Sequence, residues 1–450
     1  EAATLAEKAA QVEVAAQHDL DRAAYCELRM AHLRVQGTAL HNDAQWDEAS
    51  TVYTELLQLA EEVNDERAAC DARLELATAL RRRGQHDRSL DEAHEALRIA
   101  RRIHYRRGVA ESLHNLSALA WLDGDLEQCE ALANEGLLVA QGPQLAEQRA
   151  QLLLSLTSAQ ATRGQLASAT RGLVETEQIF ADLRMKRPRV LALSNVAELL
   201  TWQGDPEEAL QRSEEASRLA EELGYRLGAA AAMRAKGVAL LELGRYWSAH
   251  GALQTAYRLA TEIDLPEEST AAAVALTQLC LERSDPIGAV RHGSLGMSSI
   301  AQRDPEQYTS LLQALLARAL AHTQPTLAWT LLQAVEDAIP TLHTPRQTQV
   351  RLAAAWAWLA LGEKSGAITH AEDVIRNKSA RSFRLLLLEA RALLAQTTTG
   401  ETSRRHKRLG TELARDFTDA LPVTTVGEVR RRPFFRFLES DHTATIVPEP

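Results

Sequence analysis

Every fortieth residue, this chain returns to the same local problem: a helix must stop and reverse. A small or polar residue marks the place at Ala44, Gly84, Gly124, Gly164, Gly204, Gly244, Ser284, Thr323, Gly362 and Gly400. Six steps of 40 are followed by steps of 39, 39 and 38. Five residues after each of the first nine marks runs a second series: Ala49, Ser89, Cys129, Ala169, Ala209, Ala249, Ala289, Ala328 and Ala367. Every member is small, and one step back from Ala49 lies Ala9, also small. A regular internal period of this size means a stacked repeat architecture, because one such unit cannot bury its apolar face alone.

Between the marks the apolar spacing is helical. In "WDEASTVYTELLQLA" the packed positions are Ala49, Tyr53, Leu56, Leu57 and Ala60, which share one helix face. The segment before a mark behaves likewise, as in "AESLHNLSALAWLDG" with Leu113, Leu116, Leu119 and Ala120. Each unit is therefore helix A, a tight turn, helix B and a short connection. Helix A is expected to end at a left-handed residue, most often Gly. Asp125 and the Asp205-Pro206 pair are expected to start helix B, Asp by capping free amides and Pro by suiting the first turn. The small-residue series falls where the two helices cross closely.

Composition agrees with helices and adds exclusions. Aromatic residues are only 4% of the chain, and 13 prolines in 450 residues leave long helices uninterrupted. The formal net charge of −11 gives no global reason to bind nucleic acid. No run of 18 apolar residues predicts a membrane span. Cys26, Cys70, Cys129 and Cys280 are far apart with no CxxC, which predicts reduced, buried thiols and a cytoplasmic setting.

The units resemble tetratricopeptide repeats. One supplies Gly237, Leu240, Gly244, Tyr246, Ala249, Leu253 and Ala256; another Ala77, Leu80, Gly84, Ser89, Ala93 and Ala96. The usual unit is about 34 residues, so these helices are longer. Long units resemble the sensor arms of bacterial signalling ATPases of the maltose-regulator type, and peptide-sensing regulators. The resemblance implies an all-α, right-handed superhelical solenoid of about ten antiparallel helix pairs. Residues 1–22 read as the second helix of a truncated repeat, 23–400 as the array, 401–440 as C-terminal capping helices and 441–450 as a disordered tail. Phe434, Phe435, Phe437 and Leu438 either cover the last apolar face as part of the cap or form a partner-docking motif, and the need to cover an array end favours the cap. A start inside a helix B suggests an upstream effector domain.

No catalytic motif is present: no GxxxxGK[ST], HExxH, GxSxG or GxGxxG. His86, Asp87, Asp91 and His94 read as a solvated outer face beside packed Leu90, Ala93 and Leu97, with no metal or cofactor expected. The expected partner is a protein or peptide. The resemblance implies that helix A lines a concave binding face, and the register then selects Arg34, His41, His114, Asn115, Trp121, Asn195, Glu198, Trp202 and Arg234. Asn115 and Asn195 hold the same place in two units. Such an Asn either clamps a peptide backbone by donating and accepting together or packs between repeats. The carboxylate clamp known in this family is absent, because Thr38 and Val238 follow Arg34 and Arg234 where Asn is needed. The alternative function is a nucleic-acid surface built from Arg81–Arg83 and the "RRIHYRR" segment, residues 101–107. The overall acidity argues against it. The expectation is a non-enzymatic interaction scaffold, the sensor arm of a larger signalling or regulatory protein.

Overall fold

A computed structural model describes Lys8 and residues 21–42, 45–300, 304, 307–377 and 382–440. The segment 1–20 apart from Lys8, the first mark Ala44 and the tail 441–450 lie outside the described residues, and with them the expected truncated repeat and disordered end. The chain divides into two compact units, residues 1–159 and 160–450.

In the first unit the helices are α1 (Arg22–Asn42), α2 (Trp46–Glu62), α3 (Glu66–Arg82), α4 (His86–Arg102), α5 (Arg106–Leu122), α6 (Leu126–Val139) and α7 (Ala146–Thr162), the last ending just past the division. The second unit holds α8 (Leu166–Asp182), α9 (Lys186–Gln203), α10 (Pro206–Glu222), α11 (Arg226–Glu242), α12 (Tyr246–Glu262), α13 (Pro266–Glu282) and α14 (Pro286–Ser299). It continues with α15 (Tyr308–Leu320), α16 (Pro325–Ala338), α17 (Thr344–Ala360), α18 (Lys364–Arg376), α19 (Arg384–Thr397), α20 (Gly400–Asp419), α21 (Val423–Val429) and α22 (Pro433–Glu439). No strand occurs among the described residues. Odd-numbered helices from α1 to α19 are A helices, and even-numbered helices from α2 to α20 are their B partners.

The joints explain the period. Gly84, Gly124, Gly164, Gly204, Gly244 and Gly362 all take positive φ, and so does Ser284 at 57°. Each is followed by an amide that reaches back five residues, as in Gln85 N–H to the Leu80 carbonyl (2.9 Å) and Asp125 N–H to Ala120 (2.9 Å). This closure satisfies carbonyls that the helix end would otherwise leave unpaired. The connections from helix B to the next helix A use the same device at Asn64, His104, Arg184, Gly224 and Asp264. Between residues 64 and 284 the backbone therefore repeats every twenty residues, although glycine marks mainly every fortieth. Beyond that span Thr323 is not left-handed: Gln324 N–H reaches back only four residues, to the Leu320 carbonyl (2.8 Å). Gly400 departs from the pattern, since it opens α20. The connection between α6 and α7 departs too: a 3₁₀ turn, Pro143–Leu145, follows Gly142 at φ 96°.

Helix starts follow expectation in part. Asp125 Oδ1 accepts from Gln128 N–H (3.0 Å), Asp285 from Gly288 N–H (2.8 Å), and Asp65 from Arg67 and Ala68. Asp205 makes no such bond, so the Asp205-Pro206 start rests on Pro206, whose fixed φ suits a first turn.

The small-residue seam is sealed. Ala49, Ser89, Cys129, Ala169, Ala209, Ala249, Ala289, Ala328 and Ala367 are each 0% exposed. Ser89 stays dry at this place because its hydroxyl donates to the Ala77 carbonyl of the facing helix A (2.7 Å). All four cysteines are buried free thiols. No helix among the described residues is long and apolar enough to cross a membrane.

The end of the second unit is built from the expected aromatic cluster. Phe434, Phe435, Phe437 and Leu438 of α22 are buried, and α22 packs on α19 and α20. The Phe434 and Phe435 rings lie 5.1 Å apart, with Phe417 of α20 5.7 Å from Phe435.

Candidate functional site

In the first unit, polar side chains of α1, α3, α5 and α7 meet along the A-helix register. His41 stands edge-on to Trp46, with ring centroids 5.0 Å apart, and its Nδ1 lies 4.0 Å from Glu75. Burial and the cations of Arg82 and Arg81 hold its pKa below the usual imidazole value. Glu75 is pushed up to about 7 by desolvation, with Glu111 and Asp71 adding like charge. His114 Nδ1 lies 3.0 Å from Ser155 Oγ, and burial and Arg81 lower its pKa to about 3, so it is a neutral ring at pH 7. Asn115 is 4% exposed. Its Oδ1 accepts from Thr78 Oγ1 (3.1 Å) and its Nδ2 donates to the Glu111 carbonyl (3.3 Å). Its amide is thus engaged in packing α5 against α3. Trp121 is half-buried against Ala120, Cys129 and Ala159, while Arg34 is exposed on α1.

In the second unit one guanidinium joins three successive A helices. Arg234 of α11 donates to Glu198 of α9 (3.0 Å) and to Glu268 of α13 (2.8 Å). It is only 9% exposed, and the two carboxylates hold its pKa well above the ordinary value despite burial. Arg234 and Glu198 are therefore committed to each other. Asn195, one helical turn before Glu198, is exposed and makes no hydrogen bond among the described residues.

Beyond this staple, the A helices α9, α11, α13, α15, α17 and α19 surround a cavity of about 130 Å³. The end of α9 meets the start of α19, where Trp202 and Phe383 rings lie 6.2 Å apart. The polar lining includes Gln278, Arg318, Gln349 and Glu389. Trp356 donates its indole N–H to Glu389 (2.6 Å), and the Arg318 guanidinium lies 5.0 Å from the Trp356 ring centroid. Arg318 makes no ion pair or hydrogen bond among the described residues, and burial lowers its pKa. Burial, with Glu282 adding like charge, pushes Glu389 up to about 7. A wall carrying aromatic rings, amides and separate acidic and basic groups can hold a short polar ligand by hydrogen bonds and stacking.

The structure sorts the register-selected residues. Trp202 reaches the cavity; Asn195 and Arg34 face solvent; Asn115, Glu198 and Arg234 are spent on scaffold contacts; His41, His114 and Trp121 lie half-buried in the first unit. Arg318, Gln349 and Glu389 were not singled out from sequence, and neither were Glu242 and Glu282. One signal was available: Trp202, Glu242 and Glu282 each stand two residues before a joint.

The basic cluster is largely neutralised. Arg83 pairs with Asp47, Arg101 with Glu135, Arg102 with Glu66 and Arg107 with Glu111. Arg106 donates to the Val139 carbonyl (2.8 Å), and Arg81, drawn down to about 9 by burial, sits among the first unit's A-helix groups. Asp87, Asp91 and His94 face solvent as expected, whereas Leu90, expected to pack, is 38% exposed. Among the described residues no group of three or more His, Cys, Asp or Glu is placed to hold a metal ion.

Two segments match tetratricopeptide-repeat family models, residues 70–104 and 189–262. No curated protein matches the chain. Among solved structures, the crystal structure of Rap protein complexed with competence and sporulation factor aligns at TM-score 0.59 and 14% identity, covering 81% of this chain and 99% of that one. The crystal structure of NprR in complex with its cognate peptide NprX aligns at TM-score 0.51 and 14% identity, covering 72% and 97%. At such identity the likeness is one of fold. With a sealed small-residue seam and recurring left-handed joints, the chain has the fold of a tetratricopeptide-repeat array, and its residues 70–104 and 189–262 match that family's models.

Proposed function

We propose that this chain is a non-catalytic peptide-binding scaffold and that its ligand docks on the A-helix side of the second unit. The observation that carries this is the cavity ringed by α9 to α19. There Arg318 makes no ion pair or hydrogen bond among the described residues, and Trp202, Gln278 and Gln349 offer stacking and amide contacts. Exposed Asn195 lies on the same A-helix series and extends the surface with a free amide. The two aligned solved structures are, by their titles, complexes with a factor and a cognate peptide, which supports this kind of ligand. In this reading the chain serves a regulatory protein as its sensor arm, and a change in repeat packing relays occupancy. Selection from a random peptide library tests it. Peptides captured by the wild type should lose at least about tenfold in affinity on Arg318→Ala or Asn195→Ala, a 1.4 kcal/mol effect. Unchanged affinity in both variants, with the fold intact by circular dichroism, refutes this placement of the ligand.

A further inference from the structure

The last two helices do more than cover the final repeat. Arg432, at the start of α22, is 3% exposed and reaches about 190 residues upstream. Its guanidinium donates to the carboxylate and the carbonyl of Glu242 at the end of α11, and to Glu282 at the end of α13. Tyr246 holds the other Glu282 oxygen (2.8 Å). Before it, α21 lies on the α11–α12 joint: Arg245 donates to Glu428 (2.6 Å) and Thr425 (3.2 Å). A Cβ added at Gly244 would stand 2.5 Å from the Glu428 carbonyl oxygen.

Arg432 also forms part of the cavity wall. Among the described residues three acidic side chains line that cavity, Glu242, Glu282 and Glu389, and two cations, Arg318 and Arg432. Take Arg432 away, and three acids face one cation that already stacks on Trp356. Such a niche selects a guanidinium, since planar forked donors match carboxylate geometry. The segment that supplies Arg432 is weakly self-supporting. Its helices are only seven residues each, too short to be stable alone, and Val423 at its root is 91% exposed.

We propose that α21–α22 is an internal ligand: Arg432 occupies a recognition niche for an arginine-bearing peptide, and that peptide reaches the cavity only by displacing this strap. The proposal rests on the peptide-binding reading above and names both the chemistry of the ligand and its competitor. The tether gives the strap a high effective concentration, so an external copy binds the intact chain poorly.

The probe is a labelled synthetic peptide of residues 428–439, EVRRRPFFRFLE, titrated by fluorescence anisotropy against the full chain. Arg432→Ala should raise its affinity about tenfold or more over wild type. Adding Glu282→Gln should remove that gain, and a probe with alanine in place of its third arginine should not show it. Hydrogen exchange in residues 423–439 should rise in Arg432→Ala. Gly244→Ala provides a second release that leaves Arg432 and its niche unchanged, and it decides the matter if Arg432→Ala fails to fold. Gly362→Ala controls for backbone strain, because Gly362 is equally left-handed (φ 87°) but has nothing near its would-be Cβ. Equal probe affinity in wild type, Arg432→Ala and Gly244→Ala overturns the proposal, and so does a gain that survives Glu282→Gln. Library peptides that bind without raising strap exchange would leave the scaffold reading standing and remove this one. Probe binding with no library ligand would do the reverse.

Discussion

Replacing Arg234 separates scaffold from recognition in the second unit. Its side chain is 11% exposed and pairs with Glu198 and Glu268, whose side chains are each 26% exposed. Removing one partner of a buried ion pair costs about 3–5 kcal/mol, because the remaining charge is stranded. Here two carboxylates are stranded, but water already reaches both, so the expected loss for Arg234→Met is about 2–4 kcal/mol. Met keeps the aliphatic stem, which limits the change to the charge. Urea unfolding followed by circular dichroism reads the total. Hydrogen exchange should place the loss in α9, α11 and α13, since repeat stability is a sum of nearest-neighbour terms. The triple variant Arg234→Met, Glu198→Gln, Glu268→Gln should recover about half of the loss, because it removes the stranded charges. Asn195→Ala, on α9 beside Glu198 but exposed and without a hydrogen bond among the described residues, should stay within about 0.5 kcal/mol of wild type. The reasoning fails if Arg234→Met lies within about 1 kcal/mol of wild type, or if the triple variant is less stable than the single one.

Other perturbations follow from the same geometry. Ala249→Leu places a branched side chain where exposure is 0% and should cost about 2–3 kcal/mol in urea unfolding, whereas Ala249→Ser should cost about 1 kcal/mol or less, as Ser89 fills the equivalent place. Arg184→Gly should raise the unfolding midpoint, gaining about 0.5–1 kcal/mol, because an exposed arginine there is held at φ 56°. Glu389 keeps its proton in the folded chain up to about pH 7, whereas an unfolded glutamate releases it near 4.5. Between those values the native state binds more protons, so this group makes stability fall as pH rises. Glu389→Gln should therefore overtake wild type by about 1–3 kcal/mol near pH 8 and match it near pH 5. A difference that is flat with pH would show that the carboxyl titrates normally.

The features legible in the sequence are those with strict steric demands. A left-handed joint selects Gly at 84, 124, 164, 204, 244 and 362, and a close helix crossing selects a small side chain five residues on. The intervening joints escaped notice because Asn64, His104, Arg184 and Asp264 take the same backbone conformation without glycine. There the five-residue closure, such as Tyr105 N–H to Ala100 (2.8 Å), offsets the strain of a side chain at positive φ. Arg432 was illegible for another reason. Within "RRRPFF" it looks like any residue of a terminal cap, and nothing local announces two glutamates 150 and 190 positions upstream.

Register alone assigns a residue to a face, and its neighbours then decide its work. Asn115 and Asn195 occupy one register position two units apart, yet Asn115 is bonded to Thr78 and nearly dry while Asn195 is open to solvent. Thr78 stands 37 residues before Asn115, in the preceding helix A, so the difference lies in the adjoining unit and not in the Asn itself. The same logic governs the position two before each joint. Trp202 lines the cavity with an apolar ring, whereas Glu242 and Glu282 bring charge to it, and that charge is met by a residue from the far end of the chain. A stacked array keeps its seam and joints constant because every interface needs them. It can vary the inward positions one unit at a time, because each of these touches only its neighbours and whatever occupies the centre. Inward charge that no neighbouring repeat neutralises therefore reports on the occupant, and in the second unit the occupant carries a guanidinium.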